Sequence, residues 1–171
     1  MNDKLKNIKL LLLDVDGVMT DGGIIYDGNG LETKVFNVKD GHGIKMLQRF
    51  GIEVGIITGR TSKVVDIRAS ELGIKLVYQG ALKKLVSYED VKLKTGLVDS
   101  QIAYVGDDVI DVPVMRRVAF AAAPSDGLPE ARNVATYVTS CGGGRGAVRE
   151  VCDLILKGCG VWDEVVVRYE L

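Results

Sequence analysis

Short apolar runs separated by polar and glycine-containing segments recur along the chain at a spacing typical of alternating strands and helices. The first run, four consecutive leucines at residues 10–13, ends abruptly in acids and glycine and predicts a buried strand that opens into a loop. Further strands are predicted at residues 52–57, 75–78, 101–105, 119–122 and 135–138. Strands at this spacing, with helices between them, imply a parallel sheet built from right-handed crossovers.

The segments between these strands carry apolar residues at helical spacing. Helices are predicted at residues 43–50, 61–72, 82–94, 110–118, 128–133 and 145–157. Gly51 and Gly73 are expected to end the first two, and Asp126 is a candidate cap for the helix at 128–133. The fold predicted is α/β, a Rossmann-like three-layer sandwich with a central parallel sheet. The tail, about residues 158–171, is not clearly placed by its pattern.

A β-hairpin is predicted at about residues 23–37. Two short β-like runs flank the sequence Asp27-Gly-Asn-Gly30, which has strong turn chemistry. The hairpin is the only insertion into an otherwise regular alternation, so we expect one domain over residues 1–171. Exposed apolar side chains on it would form an unpaired edge, which pairing with other subunits would cover. The residues concerned are Ile24, Ile25, Val35 and Phe36.

Composition and charge exclude several classes of function. The 22 basic and 23 acidic residues give a net charge of −1, and without a basic block they disfavour nucleic acid as a partner. No apolar run approaches the ~20 residues of a membrane span, and the amino terminus does not resemble a signal peptide, so we expect a cytoplasmic protein. Cys141, Cys152 and Cys159 lack zinc-ribbon spacing and are expected to be reduced. His42 is the only histidine, which excludes a serine-histidine triad.

Chemically active side chains follow successive predicted strands. In chain order they are Asp14 and Asp16, then Thr58 and Arg60, then Lys84, then Asp107, Asp108 and Asp111. Each alone is compatible with an ordinary turn, a solvated lysine or a helix cap. Because the carboxyl ends of parallel strands meet at one edge of a sheet, we expect these residues to converge. Together they predict a site with acids for a metal ion, and a hydroxyl and an ammonium for an anion.

The sequences Asp14-Val-Asp16-Gly, Thr58-Gly-Arg60, Lys84 and Gly106-Asp-Asp-Val-Ile-Asp111 resemble the four ordered motifs of the haloacid dehalogenase phosphohydrolases. The short hairpin, Phe36-Asn-Val-Lys-Asp40-Gly and Gly142-Gly-Gly-Arg-Gly146-Ala resemble its small capless branch, which includes the 3-deoxy-D-manno-octulosonate 8-phosphate phosphatases of lipopolysaccharide precursor synthesis. The resemblance implies a phosphomonoesterase with a hairpin in place of a cap domain. It also implies a homotetramer in which a neighbouring subunit helps cover each site.

In such a site Asp14 would attack phosphorus to form an aspartyl-phosphate, and Asp16 would act as acid and then base. Mg²⁺ would be held by the Asp14 and Asp107 carboxylates and the Asp16 carbonyl. We expect Asp108 and Asp111 in its outer shell. Thr58, the backbone near Gly59 and Lys84 would stabilise the phosphoryl oxygens.

A sugar acid phosphate also carries a carboxylate, which arginine binds well. Arg60, Arg68 and Arg145 are the candidates, and Asp40 and His42 are candidate residues at the lip of the site. In the family, phosphatases of nine-carbon sialic-type acids tend to have an acid at the position of Arg60. The arginine therefore favours the octulosonate substrate, with the nine-carbon 9-phosphate as the alternative.

Three other classes of protein fit parts of the sequence. Gly142-x-Gly144-x-x-Ala147, with Asp163 beyond it, loosely matches a dinucleotide fingerprint, but the sequence has no second nucleotide-binding half. A receiver domain also phosphorylates an aspartate beside Mg²⁺, although there the acceptor normally follows a later strand. A non-enzymatic scaffold derived from a phosphatase fold is the third, and the complete set of acids argues against it.

Overall fold

The structure is a computed structural model that describes residues 2–170. Its main sheet contains the strands β1 (Leu10–Leu13), β4 (Glu53–Ile57), β5 (Leu76–Tyr78), β6 (Ile102–Val105), β7 (Phe120–Ala123) and β8 (Tyr137–Val138). Their order is β5-β4-β1-β6-β7-β8, and every neighbouring pair is parallel. A separate antiparallel hairpin consists of β2 (Ile25–Tyr26) and β3 (Glu32–Thr33). The parallel sheet and the hairpin are confirmed.

Helices cover both faces of the sheet. One layer contains α1 (Asn2–Leu5), α2 (Val38–Arg49), α3 (Lys63–Leu72), α7 (Ala147–Gly158) and α8 (Trp162–Tyr169). The other layer contains α4 (Lys84–Thr95), α5 (Val112–Met115) and α6 (Pro129–Val134). A short 3-10 helix, Asp99–Gln101, precedes β6. The three-layer α/β architecture predicted from the sequence is therefore confirmed.

The four leucines of β1 show why the strand is uniformly apolar. Leu11 and Leu13 pack in the core beneath α2 and α7, whereas Leu10 and Leu12 pack in the core beneath α4 and α5. Because successive side chains of a strand point to opposite faces, a central strand covered on both faces needs an apolar residue at every position. β1 lies between β4 and β6, so the loop that follows it is at the centre of the sheet edge.

Helix ends differ from the predictions where tertiary contacts decide them. α2 begins five residues earlier than predicted, at Val38, because the side chain of Asn37 accepts the backbone N–H of Lys39 and caps the helix. The prediction that Asp126 caps the helix near residue 128 is wrong. That helix begins at Pro129, and Asp126 instead accepts the backbone N–H of Gly143 at 2.9 Å.

The tail, which the sequence pattern left unplaced, forms α8. Val165 is fully buried against the core, and the Tyr169 hydroxyl is hydrogen-bonded to the guanidinium of Arg49 on α2. The contacts with α2 that hold this helix are distant in sequence. α1 is a single turn that the sequence pattern did not indicate.

The hairpin exposes most of the apolar side chains predicted to be exposed. Ile24, Ile25 and Val35 are each about half exposed or more. Phe36 is an exception, because its ring is partly buried against the core and lies beneath the guanidinium of Arg68, 5.5 Å from the ring centroid. The prediction of an exposed Phe36 is therefore wrong, since the chain turns toward α2 at this residue.

Two further expectations concern the whole chain. Within residues 2–170, no helix is both long enough and apolar enough to cross a membrane. All three cysteines are free, with Cys152 buried in α7 and Cys141 and Cys159 partly exposed.

Candidate active site

The carboxyl ends of the central strands bring many of the predicted site residues to one cleft. Asp14 and Asp16 follow β1, Thr58 follows β4 and Asp107 follows β6, and these strands are direct neighbours. The cleft has a volume of about 180 Å³. It is lined by Asp14, Asp16, Thr58, Gly59, Arg60, Asp107, Asp108 and Ile110. The structure thus assembles residues that are up to 96 positions apart in sequence, from Asp14 to Ile110.

Three carboxylates converge at the base of the cleft. One oxygen of each of Asp14, Asp107 and Asp111 lies within 4.8 Å of the others. Burial, together with the negative charges of Asp14 and Asp111, raises the pKa of Asp107 to about 7. Burial also raises the pKa of Asp14 above its ordinary value, and the ammonium of Lys84 opposes this effect. The cluster therefore contains more negative charge than its protein neighbours neutralise.

Lys84 is the ammonium that reaches these carboxylates. It is the first residue of α4, and its Nζ lies 2.7 Å from Asp14 Oδ2 and 2.6 Å from Asp111 Oδ1. Its side chain is completely buried. Burial alone would lower the pKa of Lys84, but the Asp14 and Asp111 carboxylates outweigh that effect and raise it. Lys84 is therefore a fixed positive charge beside Asp14.

Asp111 organises the loop that carries the other acids. Its Oδ1 accepts the Lys84 ammonium at 2.6 Å and the Tyr104 hydroxyl at 2.5 Å, and its Oδ2 accepts the backbone N–H groups of Asp107 and Asp108, both at 3.2 Å. A buried carboxylate with both oxygens engaged in this way has little capacity left for a metal ion. Asp111 thus holds the loop 106–108 in place.

Glycines allow the loop after β1 to approach the loop after β6. Gly17 has φ +86°, and a Cβ on it would lie only 2.1 Å from Asp107 Oδ2. A Cβ on Gly143 would lie 1.9 Å from the carbonyl oxygen of Gly17, and the N–H of Gly144 donates to the carbonyl of Val18 at 2.9 Å. The glycine-rich segment 142–146 therefore supports the loop that carries Asp16, and the N–H groups of Gly143, Gly144 and Arg145 all donate within the protein.

The hairpin contributes charged residues that the sequence analysis missed. The ammonium of Lys34 forms an ion pair with Asp16 Oδ1, and Glu32 accepts the Arg60 Nη2 donor at 2.8 Å. Arg60 also donates to the hydroxyl of Tyr26 at 3.0 Å. The sequence contained a pattern that could have indicated them, because Glu32 and Lys34 occupy alternate positions along the second arm of the hairpin and therefore share one face. The pattern alone did not show which face of the hairpin turns toward the site.

Five residues predicted to contact substrate do not line this cleft. Lys84 is one of them, because its side chain is buried behind Asp14, and the other four lie further away. The Asp40 carboxylate is buried and accepts the backbone N–H of Arg149 at 2.8 Å, at the start of α7. His42 is exposed and packs edge-on against Tyr169, with ring centroids 5.5 Å apart. Arg68 lies over Phe36. Arg145 is largely exposed and lies 3.2 Å from Asp21.

The carboxylate cluster fits a hard divalent cation. Oxygen ligands from few protein groups suit Mg²⁺, which keeps several waters. Oδ1 of Asp107 is buried and accepts no hydrogen bond from residues 2–170, although buried carboxylate oxygens are normally paired. The raised pKa of Asp107 shows the same deficit of positive charge. Asp14 and Asp107 are thus carboxylates that could hold a metal ion.

A larger depression of about 470 Å³ lies elsewhere, at the amino ends of β4 and β5. Glu53 is the only acidic residue among those that line it. This depression lacks the convergent carboxylates and the buried lysine that are found at the cleft. The smaller cleft is therefore the candidate active site, because chemistry depends on the groups that converge and not on volume.

Comparison with known proteins gives the family of the chain. No protein-family model matches it. The chain is 50% identical over 161 residues to 3-deoxy-D-manno-octulosonate 8-phosphate phosphatase KdsC of Escherichia coli K12, covering 94% of this chain and 86% of the relative. A crystal structure of the enzyme of that name from Moraxella catarrhalis, in complex with a magnesium ion, a phosphate ion and a KDO molecule, superposes with a TM-score of 0.96 at 44% identity. That match covers 98% of this chain and 97% of the other.

A structure from Legionella pneumophila, described as that of a putative HAD superfamily (subfamily III A) hydrolase, superposes with a TM-score of 0.95 at 42% identity, covering 98% of this chain and 92% of the other. These identities hold over nearly the full length of each protein. The chain belongs to the 3-deoxy-D-manno-octulosonate 8-phosphate phosphatase family of haloacid dehalogenase-type hydrolases.

Proposed function

We propose that the protein hydrolyses 3-deoxy-D-manno-octulosonate 8-phosphate to the free sugar acid and inorganic phosphate, with Mg²⁺ as cofactor. The observation that carries the proposal is the convergence of Asp14, Asp107 and Lys84 beside Asp16 at one sheet edge. It is supported by relatives of that name at 50% identity and by a related structure that contains magnesium, phosphate and the sugar acid. The proposed setting is lipopolysaccharide precursor synthesis in the cytoplasm.

Asp14 is the proposed nucleophile. Its carboxylate oxygen attacks phosphorus while the bond from phosphorus to the sugar oxygen breaks, which gives an aspartyl-phosphate. Asp16 donates a proton to the departing sugar oxygen. In the second step Asp16 takes a proton from a water molecule that attacks the phosphorus of the intermediate, and phosphate leaves with Asp14 restored. The two acids can divide these tasks because Asp14 is buried beside Lys84, whereas Asp16 is partly exposed.

The metal ion would be held by the carboxylates of Asp14 and Asp107 and the backbone carbonyl of Asp16, with Asp108 and Asp111 outside them. When bound, Mg²⁺ screens the negative charge of the phosphate from that of the attacking carboxylate. Lys84 keeps Asp14 oriented and places a positive charge beside the transferred phosphoryl group. The Thr58 hydroxyl and the backbone at Gly59 line the same cleft and are proposed to bind phosphoryl oxygens.

Arg60 is the strongest candidate for contact with the carboxylate of the sugar acid. Of the three arginines predicted for this role, it alone lines the cleft. Its guanidinium is anchored by Glu32 and Tyr26, yet the side chain is 40% exposed. Because Nη2 donates to both Tyr26 and Glu32, the nitrogen of the anchored guanidinium that is proposed to donate to the carboxylate is Nη1. The positions of Arg68 and Arg145 leave them weaker candidates.

We also propose that the protein assembles as a homotetramer through its hairpins. Ile24, Ile25, Leu31 and Val35 form an apolar surface on the hairpin, each about half exposed or more. An exposed apolar surface on a short two-stranded element favours association with another chain. Because the hairpin adjoins Asp16 and Arg60, pairing would also bring a neighbouring subunit close to the cleft.

The proposal is tested by measuring phosphate release from a panel of substrates, with Mg²⁺ and with EDTA. The panel contains 3-deoxy-D-manno-octulosonate 8-phosphate, a nine-carbon sialic-type acid 9-phosphate and glucose 6-phosphate. The expected result is magnesium-dependent turnover with the highest kcat/KM for the octulosonate ester. Preference for glucose 6-phosphate would refute the substrate assignment, and preference for the nine-carbon ester would replace it with the related sugar acid.

A further inference from the structure

We propose that Lys34, which the hairpin brings into the cleft, is a positioning residue that holds the Asp16 side chain for proton transfer to the leaving oxygen. The inference rests on the proposed function, because it assigns Asp16 the role of acid. Lys34 directly follows β3 and lies outside the four motifs that carry the catalytic acids. Only the tertiary structure brings it to Asp16.

The contact between the two residues is direct and largely shielded from water. The ammonium of Lys34 pairs with Oδ1 of Asp16, and the Lys34 side chain is 1% exposed. Lysine is almost never fully buried unless it is paired, and an ion pair screened from solvent fixes the orientation of its partners more strongly than an exposed pair. The Asp16 side chain retains 20% exposure, so it remains open to the cleft.

Two further residues complete the arrangement. Oδ2 of Asp16 lies 3.7 Å from Nε of Arg60, and Glu32 lies 2.8 Å from Arg60 Nη2 and 3.4 Å from Lys34 Nζ. Glu32 therefore joins the two cations that flank Asp16. The two acids and two bases of this group balance in charge, and they connect the hairpin to the loops after β1 and β4. The hairpin thus fixes the position of Asp16 in addition to any part in assembly.

This geometry has a chemical consequence. In the form that acts as the acid, Asp16 carries a proton on Oδ2, the oxygen that Lys34 does not contact. As the bond from phosphorus to the ester oxygen breaks, that proton passes to the ester oxygen, and the carboxylate that remains pairs with the Lys34 ammonium. The rate increase that proton donation by Asp16 provides depends on the leaving group. An alkoxide such as a sugar oxygen needs the proton in order to leave, whereas p-nitrophenolate leaves as a stable anion. Loss of Lys34 should therefore impair cleavage of a sugar ester far more than cleavage of an aryl ester.

The experiment compares wild type with Lys34→Met on 3-deoxy-D-manno-octulosonate 8-phosphate and on p-nitrophenyl phosphate, at saturating Mg²⁺. The quantity compared is kcat/KM, because it covers the steps up to phosphoryl transfer to Asp14 and excludes hydrolysis of the intermediate. General acid catalysis contributes about 10²- to 10⁴-fold to the rate. We therefore expect Lys34→Met to lower kcat/KM for the sugar ester by about ten- to a hundredfold. On the aryl ester we expect a loss below about threefold.

Two further variants complete the test. Lys34→Arg keeps the positive charge and is expected to restore most of the loss on the sugar ester. Lys75→Met removes an exposed lysine at the amino edge of the sheet and is expected to change neither value. If Lys34→Met does not fold, Lys34→Gln replaces it, with the same selective loss expected.

Equal losses on the two substrates would overturn the inference, because a residue with only a structural role reduces both reactions alike. The absence of any loss on the sugar ester would overturn it as well. Failure of the proposed function is recognised separately, by wild-type protein that does not hydrolyse the octulosonate ester. In that case the comparison is made with another alkyl phosphate that wild type hydrolyses, and the same two results decide it.

Discussion

The ammonium of Lys84 and the carboxylate of Asp14 form an ion pair of 2.7 Å, in which the lysine is fully buried and the aspartate 7% exposed. The same ammonium contacts Asp111 at 2.6 Å. Lys84 thus neutralises part of a buried acidic cluster and holds the proposed nucleophile. Its two roles, in stability and in catalysis, can be measured separately.

Replacement of Lys84 by methionine should destabilise the metal-free protein. The change leaves Asp14 and Asp111 buried without their cation, and breaking a buried pair in this way costs about 3–5 kcal/mol. Urea unfolding in EDTA measures the free energy of unfolding. The adjacent exposed Lys83 provides the control, since Lys83→Met should change that free energy by less than about 0.5 kcal/mol. Equal stability of the two variants would contradict a buried pair at Lys84.

Asp14→Asn should abolish turnover, with a fall in kcat of about a thousandfold or more, because an amide oxygen does not attack phosphorus. Lys84→Ala and Asp107→Asn should each leave weak residual activity. Acid quenching during turnover, followed by mass spectrometry, should detect a phosphorylated peptide containing Asp14 in wild type and none in Asp14→Asn. Full activity of any of the three variants would refute the role given to that residue.

Magnesium should stabilise the folded protein. A ligand that binds only the native state at 100 times its Kd contributes about 2.7 kcal/mol, which for a chain of this size raises Tm by about 5–10 °C. Differential scanning fluorimetry with and without Mg²⁺ measures the shift. Asp107→Asn should lose most of it, whereas Asp163→Asn, an exposed acid on α8, should keep it. An undiminished shift in Asp107→Asn would mean that Asp107 does not hold the ion.

The proposed assembly predicts that charges on the hairpin dissociate the protein. The variant with both Ile25→Glu and Val35→Glu should elute with a lower molar mass than wild type in size-exclusion chromatography with light scattering. Leu93→Glu changes a still more exposed apolar site on α4, and it should not change the mass. Wild type that elutes as an active monomer at working concentration would exclude the tetramer.

The sequence and the structure assign different roles to Asp40. The sequence predicts that it lies at the lip of the site, whereas in the structure it caps α7. Its Oδ1 accepts the N–H of Arg149 in the first turn of α7, so Asp40→Ala should lower the free energy of unfolding by about 1–2 kcal/mol through loss of a cap. KM for the sugar ester should stay near the wild-type value. A rise in KM without loss of stability would instead favour the predicted role of Asp40 at the lip of the site.

The local pattern of apolar and polar residues was sufficient to predict most of the fold. Each strand of the main sheet was predicted within two residues of its observed bounds, because a buried parallel strand requires a continuous apolar run. The hairpin was predicted from its Asp27-Gly-Asn-Gly30 turn. α8 was not placed, since its contacts with α2 lie more than 100 residues away in the chain, and a local pattern contains no information on such contacts.

By itself, the sequence determined the sheet, the edge at which ligands bind and the acids, threonine and lysine that follow its strands, because strand-end positions depend on period and order alone. Only the tertiary structure decided that Asp126 supports a glycine loop, that Asp40 caps α7 and that Lys34 faces Asp16. These contacts join segments 17 to 109 residues apart. The physical reason is that a polar side chain takes its role from the groups that burial places beside it, and packing of the whole chain selects those groups.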